Sequence, residues 1–200
     1  MLQYLQMRSK GKQINARISE IRVIAGQYRG RKVKVLDAEG LRPSGSRIRE
    51  TLFNWLAPYL PGARVLDLYA GSGILGVEAV SRGADHTDLV ELSARAARTI
   101  HGTLIDFGID NAQVHTASAE QFLSRDLGPW DIVFIDPPFA EGPSASVLRH
   151  LQSASMVTEG AWVYVESPIE SPWPMPERFT EHRGKVAGGV DYRLYRVSCS

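Results

Sequence analysis

From residue 63 onward the sequence alternates short apolar runs with amphipathic segments that repeat at helical spacing. Such alternation is typical of a parallel sheet whose strands are connected by helices. The apolar runs predict strands at Arg64–Tyr69, His86–Glu91, Gln113–Thr116, Asp131–Asp136 and Ala161–Glu166. The segments between them predict helices at Ile74–Arg82, Ala94–Phe107, Glu120–Ser124 and Ser144–Gln152. The pattern therefore predicts an α/β fold.

Two flanking segments have antiparallel patterns instead. Residues 21–35, IRVIAGQYRGRKVKV, alternate apolar and polar side chains about a glycine-containing turn, which predicts a hairpin. A helix follows, with Ser46 as its predicted N-cap and Pro61-Gly62 as its stop. The stretch RFTEHRGKVAGGVDYRLYRV predicts a second hairpin that turns near Gly188-Gly189. The predicted parts are a flexible basic N-terminus (1–20), an N-terminal hairpin and helix (21–62) and the α/β domain (63–200).

The charge is distributed asymmetrically along the chain, although the net charge is only +1. Residues 1–49 contain twelve Lys or Arg and three acidic residues, whereas residues 50–200 contain eleven basic and nineteen acidic residues. A basic extension on an acidic body indicates that one face of the protein meets a polyanion. For residues 1–20 alone, a solvated, partly disordered tail explains the charge better.

The composition argues against several classes of protein. No apolar run approaches the roughly 20 residues that span a bilayer, and the first residues lack the apolar segment of a secretory signal. The single cysteine, Cys199, excludes an intramolecular disulfide. The five histidines are scattered without metal-ligand spacing, so no metal site is expected. These features favour a cytoplasmic protein that does not bind a membrane.

A glycine-rich turn follows the first strand of the α/β region, in the stretch VLDLYAGSGILGVEA. Gly71, Gly73 and Gly76 match the pattern GxGxxG at a strand-to-helix turn, and Glu91 ends the next predicted strand. Glycines at such a turn allow close approach of a ligand, and a carboxylate at the second strand can accept hydrogen bonds from ribose hydroxyls. The motif predicts a nucleoside cofactor without identifying it.

Asp67, which lies just before these glycines, favours S-adenosylmethionine over a nicotinamide dinucleotide. Its carboxylate can attract the cationic amino group of a methionine moiety, whereas it would repel an anionic pyrophosphate. The sequence also shows no obvious partner for hydride transfer.

The stretch DIVFIDPPF ends the fourth predicted strand with a carboxylate, two prolines and an aromatic ring. It resembles the (Asp/Asn)-Pro-Pro-aromatic motif of amino-directed methyltransferases. The Asp136 carboxylate and the Pro137 carbonyl can each accept a hydrogen bond from an exocyclic amine, and Pro138 stiffens the turn. Phe139 offers a face on which the base can stack. Adenine N6, cytosine N4 and guanine N2 are all compatible with these residues.

Longer segments in unbroken order resemble the RsmD family, bacterial enzymes that methylate guanine N2 in 16S ribosomal RNA with S-adenosylmethionine. The similar segments are IRVIAGQYRGRKVKV, LRPSGSRIRETLFNWL, LDLYAGSGILGVEAVSRGA, DIVFIDPPF and KVAGGVDYRLYRV. The resemblance implies a Rossmann-like class I methyltransferase fold, with a mostly parallel seven-stranded sheet and a C-terminal antiparallel hairpin. It also implies that the protein acts on 16S rRNA and releases S-adenosylhomocysteine. We expect a monomer whose substrate is 16S rRNA in a small ribosomal subunit or an assembly intermediate, although the sequence leaves naked RNA open.

The resemblance assigns roles to three groups of residues. Base contacts are implied at Asp136, Pro137, Pro138 and Phe139. Cofactor contacts are implied at Asp67, Ala70, Gly71, Ser72, Gly73, Glu91, Leu92, Ser118 and Ala119. RNA contacts are implied at Arg22, Arg29, Arg31, Lys32, Arg42, Arg47 and Arg49.

The sequence departs from the family pattern at Ser46 and Ser118, where acidic residues are usual (or an amide at 118), and at Thr103, near a usual asparagine. The change at Ser118 affects the contact expected on the adenine side, which the Ala119 backbone N–H could still make. Two other functions stay open: DNA adenine-N6 methylation, and a non-catalytic RNA-binding assembly factor with a degenerate cofactor pocket.

Overall fold

The computed structural model describes residues 19–35, 45–138, 142–153 and 155–198. The predicted N-terminal segment up to residue 18 lies outside these ranges, as do Arg42, Phe139 and Cys199. The strands are β1 (Ser19–Arg22), β2 (Lys32–Val35), β3 (Arg64–Asp67), β4 (His86–Glu91), β5 (Ala112–Thr116), β6 (Trp130–Ile135), β7 (Val157–Pro168), β8 (Phe179–Ala187) and β9 (Val190–Val197). The helices are α1 (Gly45–Leu56), α2 (Ile74–Ser81), α3 (Ala94–Phe107), α4 (Ala119–Leu123) and α5 (Ala145–His150).

Seven of these strands form one sheet in the order β5-β4-β3-β6-β7-β9-β8. Strands β3 to β7 pair in parallel, and β9 lies antiparallel between β7 and β8. The strand order reverses between β3 and β6, which are direct neighbours. This is the expected mostly parallel seven-stranded sheet with its C-terminal hairpin. In such sheets ligands bind beyond the carboxyl ends of the strands at the point of reversal.

Helices cover both faces of the sheet, so the core has three layers. On one face, Phe122 and Leu123 of α4 and Val147 of α5 pack on the central strands. On the other face, α1 packs on β3, β6 and β7, and α2 and α3 pack on β4 together with the N-terminal hairpin. Alternate residues of a strand point to opposite faces. The side chains at each strand tip can therefore be assigned to one layer.

Local capping signals explain where the helices begin and end. Ser93 caps α3 by accepting a hydrogen bond from the Ala96 N–H at 3.3 Å, and Gly108 ends it in the left-handed conformation. Helix α1 begins at Gly45, so the prediction that Ser46 is its N-cap is wrong.

The N-terminal hairpin is docked on the α/β body through α2. The backbone N–H groups of Ile24 and Ala25 donate to the two carboxylate oxygens of Glu78, at 2.8 and 3.0 Å. Gly26 has φ 82° and lies so close to the Ser81 carbonyl oxygen that a Cβ atom would be 1.7 Å from it. Only glycine allows this approach, because any side chain would collide with the backbone of α2. The division of the chain at Gly62 remains a prediction.

Candidate active site

A cavity of about 840 Å³ lies at the carboxyl ends of the central strands. Its walls come from the segments that follow β3, β4, β5 and β6, from the end of β7 and from the N-terminal hairpin. The volume suits a nucleoside-sized ligand with part of a second molecule. The sheet therefore brings the glycine turn after β3 and the Asp136–Pro138 segment after β6 to one cavity.

The glycine turn is held by the acidic residue at the end of β4. Glu91 accepts hydrogen bonds from the Gly71 N–H at 2.8 Å and the Ser93 N–H at 2.7 Å, one on each carboxylate oxygen. Each oxygen keeps a second lone pair for another donor. Among the described residues, a Cβ atom on Gly71 would approach only the Tyr69 carbonyl oxygen, at 4.0 Å, so this part of the structure leaves space above the turn. The turn and Glu91 together fit a hydroxyl-bearing ligand such as a ribose.

Seven of the nine predicted cofactor residues line the cavity: Ala70, Gly71, Ser72, Glu91, Leu92, Ser118 and Ala119. Leu92 is 71% exposed, so its apolar side chain is available for a ring to pack on. Gly73 and Asp67 are not among the described lining residues. Gly73 faces Ile100 and Leu89 in the core, which places it under the turn.

Asp67 is buried beneath the glycine turn. Its carboxylate accepts a hydrogen bond from the Gly76 N–H at 3.0 Å and so ties β3 to the first turn of α2. Burial, with a smaller contribution from the charge of Glu91, raises the pKa of Asp67 to about 7, although the Gly76 hydrogen bond opposes this shift. Its predicted contact with an amino group remains a prediction, and its observed contact organises the turn.

The Ser118 segment is a helix cap. Ser118 accepts a hydrogen bond from the Gln121 N–H at 3.2 Å, and the Gln121 side chain accepts from the Ser118 N–H, which together form a capping box. Glu120, two residues later, also lines the cavity. Hydrogen bonding, first from the Ser144 side chain, holds the pKa of Glu120 below its ordinary value. The Glu120 carboxylate thus lies near the position at which family members usually carry an acidic residue or an amide in place of Ser118.

Asp136, Pro137 and Pro138 line the cavity directly after β6. Asp136 follows Ile132 and Phe134 at a spacing of two residues, so it lies on the face of the sheet that α1 covers. Phe139 lies outside the described residues, so its stacking role stays a prediction. The two acceptors predicted for an exocyclic amine are therefore next to the predicted cofactor residues.

A further carboxylate, Glu166, lines the same cavity at the end of β7, and the sequence pattern had not assigned it a role. The buried Tyr164 hydroxyl donates a hydrogen bond to it at 2.7 Å. Burial raises the pKa of Tyr164, and the neighbouring charges of Glu166 and Asp136 raise it further. The signal in the sequence was a glutamate at the predicted end of a strand, but its importance depends on β7 being the neighbour of β6.

The predicted RNA-binding residues have different environments. Arg29 and Arg47 are exposed. Arg22 and Lys32 are exposed but hydrogen-bonded to the Gly30 carbonyl and to Glu20 respectively. Arg31 donates to the carbonyl oxygens of Asp106 and Phe107 at the end of α3.

Arg49 is 6% exposed, although it was predicted to contact RNA phosphates. It donates to the Arg22 carbonyl oxygen at 2.8 Å, and its Nε lies 3.9 Å from the Glu78 carboxylate. Burial lowers the pKa of Arg49 from its ordinary high value, whereas the charge of Glu78 opposes this. In this structure Arg49 joins α1 to the N-terminal hairpin beside the cavity, and its contact with RNA remains a prediction.

Within the described ranges, no group of three or more His, Cys, Asp or Glu side chains is arranged to hold a metal ion. None of the helices in the same ranges is long and apolar enough to cross a membrane.

Comparisons with known proteins identify the family of this chain. The family model described as Conserved hypothetical protein 95 matches residues 21–196. Ribosomal RNA small subunit methyltransferase D of Escherichia coli (strain K12) is 44% identical over 178 residues, which cover 88% of this chain and 90% of that protein. The protein of the same name from Haemophilus influenzae is 40% identical over 181 residues, covering 88% and 94% of the two chains.

The solved structure of yhhF from Escherichia coli superposes with a TM-score of 0.83 at 42% identity. The superposition covers 91% of this chain and 100% of the yhhF chain. The predicted methyltransferase fold and the predicted family are thereby confirmed. The chain belongs to the Conserved hypothetical protein 95 family, the RsmD family of methyltransferases.

Proposed function

We propose that this protein transfers a methyl group from S-adenosylmethionine to the exocyclic N2 of a guanine in 16S rRNA of the small ribosomal subunit. The observation that carries the proposal is the meeting, in one cavity, of the glycine turn with Glu91 and of the Asp136–Pro138 segment. Relatives named for small-subunit ribosomal RNA methylation, at 44% and 40% identity, support RNA as the substrate.

On the cofactor side, the residues present fit S-adenosylmethionine. The Glu91 carboxylate can accept hydrogen bonds from the ribose hydroxyls, because each of its oxygens keeps one lone pair beyond the bonds from Gly71 and Ser93. Leu92 supplies an apolar surface for the adenine ring. Glu120 is a candidate acceptor for the adenine amino group, since Ser118 is engaged as a cap. The cofactor supplies an electrophilic methyl group on a sulfonium sulfur.

On the base side, the Asp136 carboxylate and the Pro137 carbonyl each accept one N–H of the amine. These hydrogen bonds favour a pyramidal nitrogen whose lone pair faces the methyl group, because the lone pair of a free nucleobase amine is delocalised into the ring. The N–C bond forms as the S–C bond breaks, which releases S-adenosylhomocysteine. The alkylated nitrogen then loses one proton, to Asp136 or to water. Preorganised acceptors and alignment account for the rate gain, so no strong base is required.

The proposal is tested by incubating the purified protein with isotopically labelled S-adenosylmethionine and small-subunit RNA from cells that lack it. The RNA is supplied naked and within assembled small subunits, and duplex DNA is supplied in a parallel reaction. Mass analysis of the nucleosides should show labelled N2-methylguanosine in RNA alone. Labelled N6-methyladenine in DNA, or no label in any substrate despite measured cofactor binding, contradicts the proposal.

Exposed arginines of the N-terminal region should supply part of the RNA affinity. We expect Arg29→Glu and Arg47→Glu each to weaken RNA binding and to reduce the slope of log affinity against log salt by about one, because each removes one phosphate contact. Filter binding across a salt series measures both quantities. Arg31 is unsuitable for this test, since its guanidinium donates to the end of α3 and its reversal would disturb packing.

Arg125→Glu is the matched control for charge reversal. Arg125 is exposed and lies between α4 and β6. It therefore precedes the amino end of β6, whereas the cavity lies at the carboxyl ends of the strands. Its reversal should leave the salt slope unchanged. A slope that stays at the wild-type value in both Arg29→Glu and Arg47→Glu removes these residues from the RNA-binding face.

A further inference from the structure

Two carboxylates stand next to each other at the edge of the cavity. Strands β6 and β7 pair in parallel with Phe134 opposite Tyr164 and Ile135 opposite Val165. Asp136 and Glu166 are the next residues of the two strands, and they lie on the same face as Phe134 and Tyr164. Both line the cavity. Glu166 is therefore placed beside the carboxylate that the proposed reaction uses.

Glu166 is held in place by its neighbours. The Tyr164 hydroxyl donates to its Oε1 at 2.7 Å, and the Trp173 indole N–H donates to its backbone carbonyl at 2.9 Å. Tyr164 is fully buried against Phe134, with ring centroids 6.3 Å apart, so the donor itself is fixed. The raised pKa of Tyr164 keeps its hydroxyl protonated as a donor. One carboxylate oxygen of Glu166 is thus anchored by a buried donor.

The bases with an exocyclic amine differ in the ring atom beside it. In guanine the N2 amine adjoins an N1–H donor, whereas adenine N6 adjoins the N1 lone pair and cytosine N4 adjoins the N3 lone pair. An ionised carboxylate only accepts hydrogen bonds. A second carboxylate beside the amine therefore complements guanine and repels the corresponding edge of adenine or cytosine. Extruded bases are commonly read through hydrogen bonds on this edge.

We propose that Glu166 is a specificity-determining residue whose carboxylate accepts the N1–H of the target guanine, while Asp136 and Pro137 accept hydrogen bonds from its N2 amine. This inference rests on the proposed function and adds to it the reason why a site with an Asp-Pro-Pro segment selects guanine. Tyr164 is the positioning residue for Glu166.

The test compares two RNAs that differ at one nucleotide. The methylated guanine is first located by mass mapping of RNA fragments from the labelled reaction. It is then replaced by 2-aminopurine, which keeps the 2-amino group but has an N1 lone pair and lacks O6. Wild-type protein should prefer guanosine by about 100-fold in kcat/KM, because the analogue loses a charge-assisted hydrogen bond and gains a repulsion. Glu166→Ala and Glu166→Gln should each reduce this preference to less than about 10-fold. Tyr164→Phe should give an intermediate preference.

Glu170→Gln is the matched control, because Glu170 is exposed and is not among the described residues that line the cavity. It should keep the wild-type preference. S-adenosylmethionine affinity, measured by calorimetry, should be unchanged in all these variants, which shows that the fold and the cofactor site are intact. If a Glu166 variant methylates neither RNA, competitive binding of the two RNAs in the presence of S-adenosylhomocysteine measures the same preference.

The two proposals fail in different ways. A wild-type protein that forms no N2-methylguanosine overturns the proposed function. A wild-type protein that forms it, with the same preference for guanosine in Glu166→Ala and Glu166→Gln as in wild type, overturns only the role of Glu166.

Discussion

Asp136→Ala is expected to lower the rate of methyl transfer by about 1,000-fold and to leave S-adenosylmethionine affinity nearly intact. The side chain lines the cavity at the end of β6, and its removal takes away one of the two acceptors that orient the amine. Loss of a preorganised group of this kind typically costs 100-fold to 1,000-fold in rate. Single-turnover transfer to small-subunit RNA measures the rate, and calorimetry measures the cofactor affinity.

Asp136→Asn distinguishes a role as hydrogen-bond acceptor from a role as the base that takes up the proton. The amide oxygen of asparagine still accepts a hydrogen bond but cannot take up the proton, so we expect at least about one tenth of the wild-type rate. Asp110→Ala, an exposed aspartate between α3 and β5, is the control and should transfer at the wild-type rate. Near wild-type transfer by Asp136→Ala shows that the assigned role is wrong.

Glu78→Ala is expected to have the largest effect on stability, a loss of about 3–5 kcal/mol in the free energy of unfolding. Glu78 is fully buried and joins α2 to the N-terminal hairpin and α1. Its carboxylate accepts from the backbone N–H groups of Ile24 and Ala25 and from Arg82 Nε at 2.9 Å, and it faces Arg49. Removing it leaves Arg49 buried without its charge partner.

Urea unfolding measures the loss, and hydrogen exchange of β1 and β2 measures whether the hairpin detaches. Exchange in these strands should increase more than exchange in β6, which keeps its neighbours. Glu50→Ala, an exposed change on α1, is the control and should alter stability by less than about 0.5 kcal/mol. A loss below about 1 kcal/mol in Glu78→Ala contradicts the docking role assigned to this carboxylate.

The same substitution should also reduce activity. Residues of the hairpin, including Ile21 and Ile24, form part of the cavity wall. A detached hairpin leaves the cavity open to water, which weakens the electrostatic contacts within it. Stability and transfer are thus linked through one buried glutamate.

Several elements were predicted to the residue because their signals are local. Helix α3 and strand β4 have the predicted bounds, Ala94–Phe107 and His86–Glu91. A serine cap, a terminal glycine and the periodicity of the apolar residues lie within the segments themselves. Strand β7 is longer than predicted, Val157–Pro168 instead of Ala161–Glu166. Its end pairs with the start of β9, Pro168 with Val190, and such pairing is invisible in the local sequence.

The arginines predicted to bind RNA show that a local sequence pattern cannot predict the tertiary contacts of a side chain. The sequence places Arg31 and Arg49 in a basic region, but tertiary contacts decide which guanidinium is bonded to the protein itself. Arg31 is held at the end of α3, and Arg49 is buried beside Glu78. The partners of both are distant in sequence, so charge counting could not separate them from Arg29 and Arg47.

By itself, the sequence determined the α/β fold, the glycine turn with Glu91 and the Asp136-Pro137-Pro138 segment, because propensity, spacing and chemical type are properties of short segments. Only the tertiary structure decided that Asp67 lies beneath the turn and that Glu166 stands beside Asp136 in one cavity. The physical reason is strand order: hydrogen bonds between strands far apart in the chain set which carboxylates become neighbours.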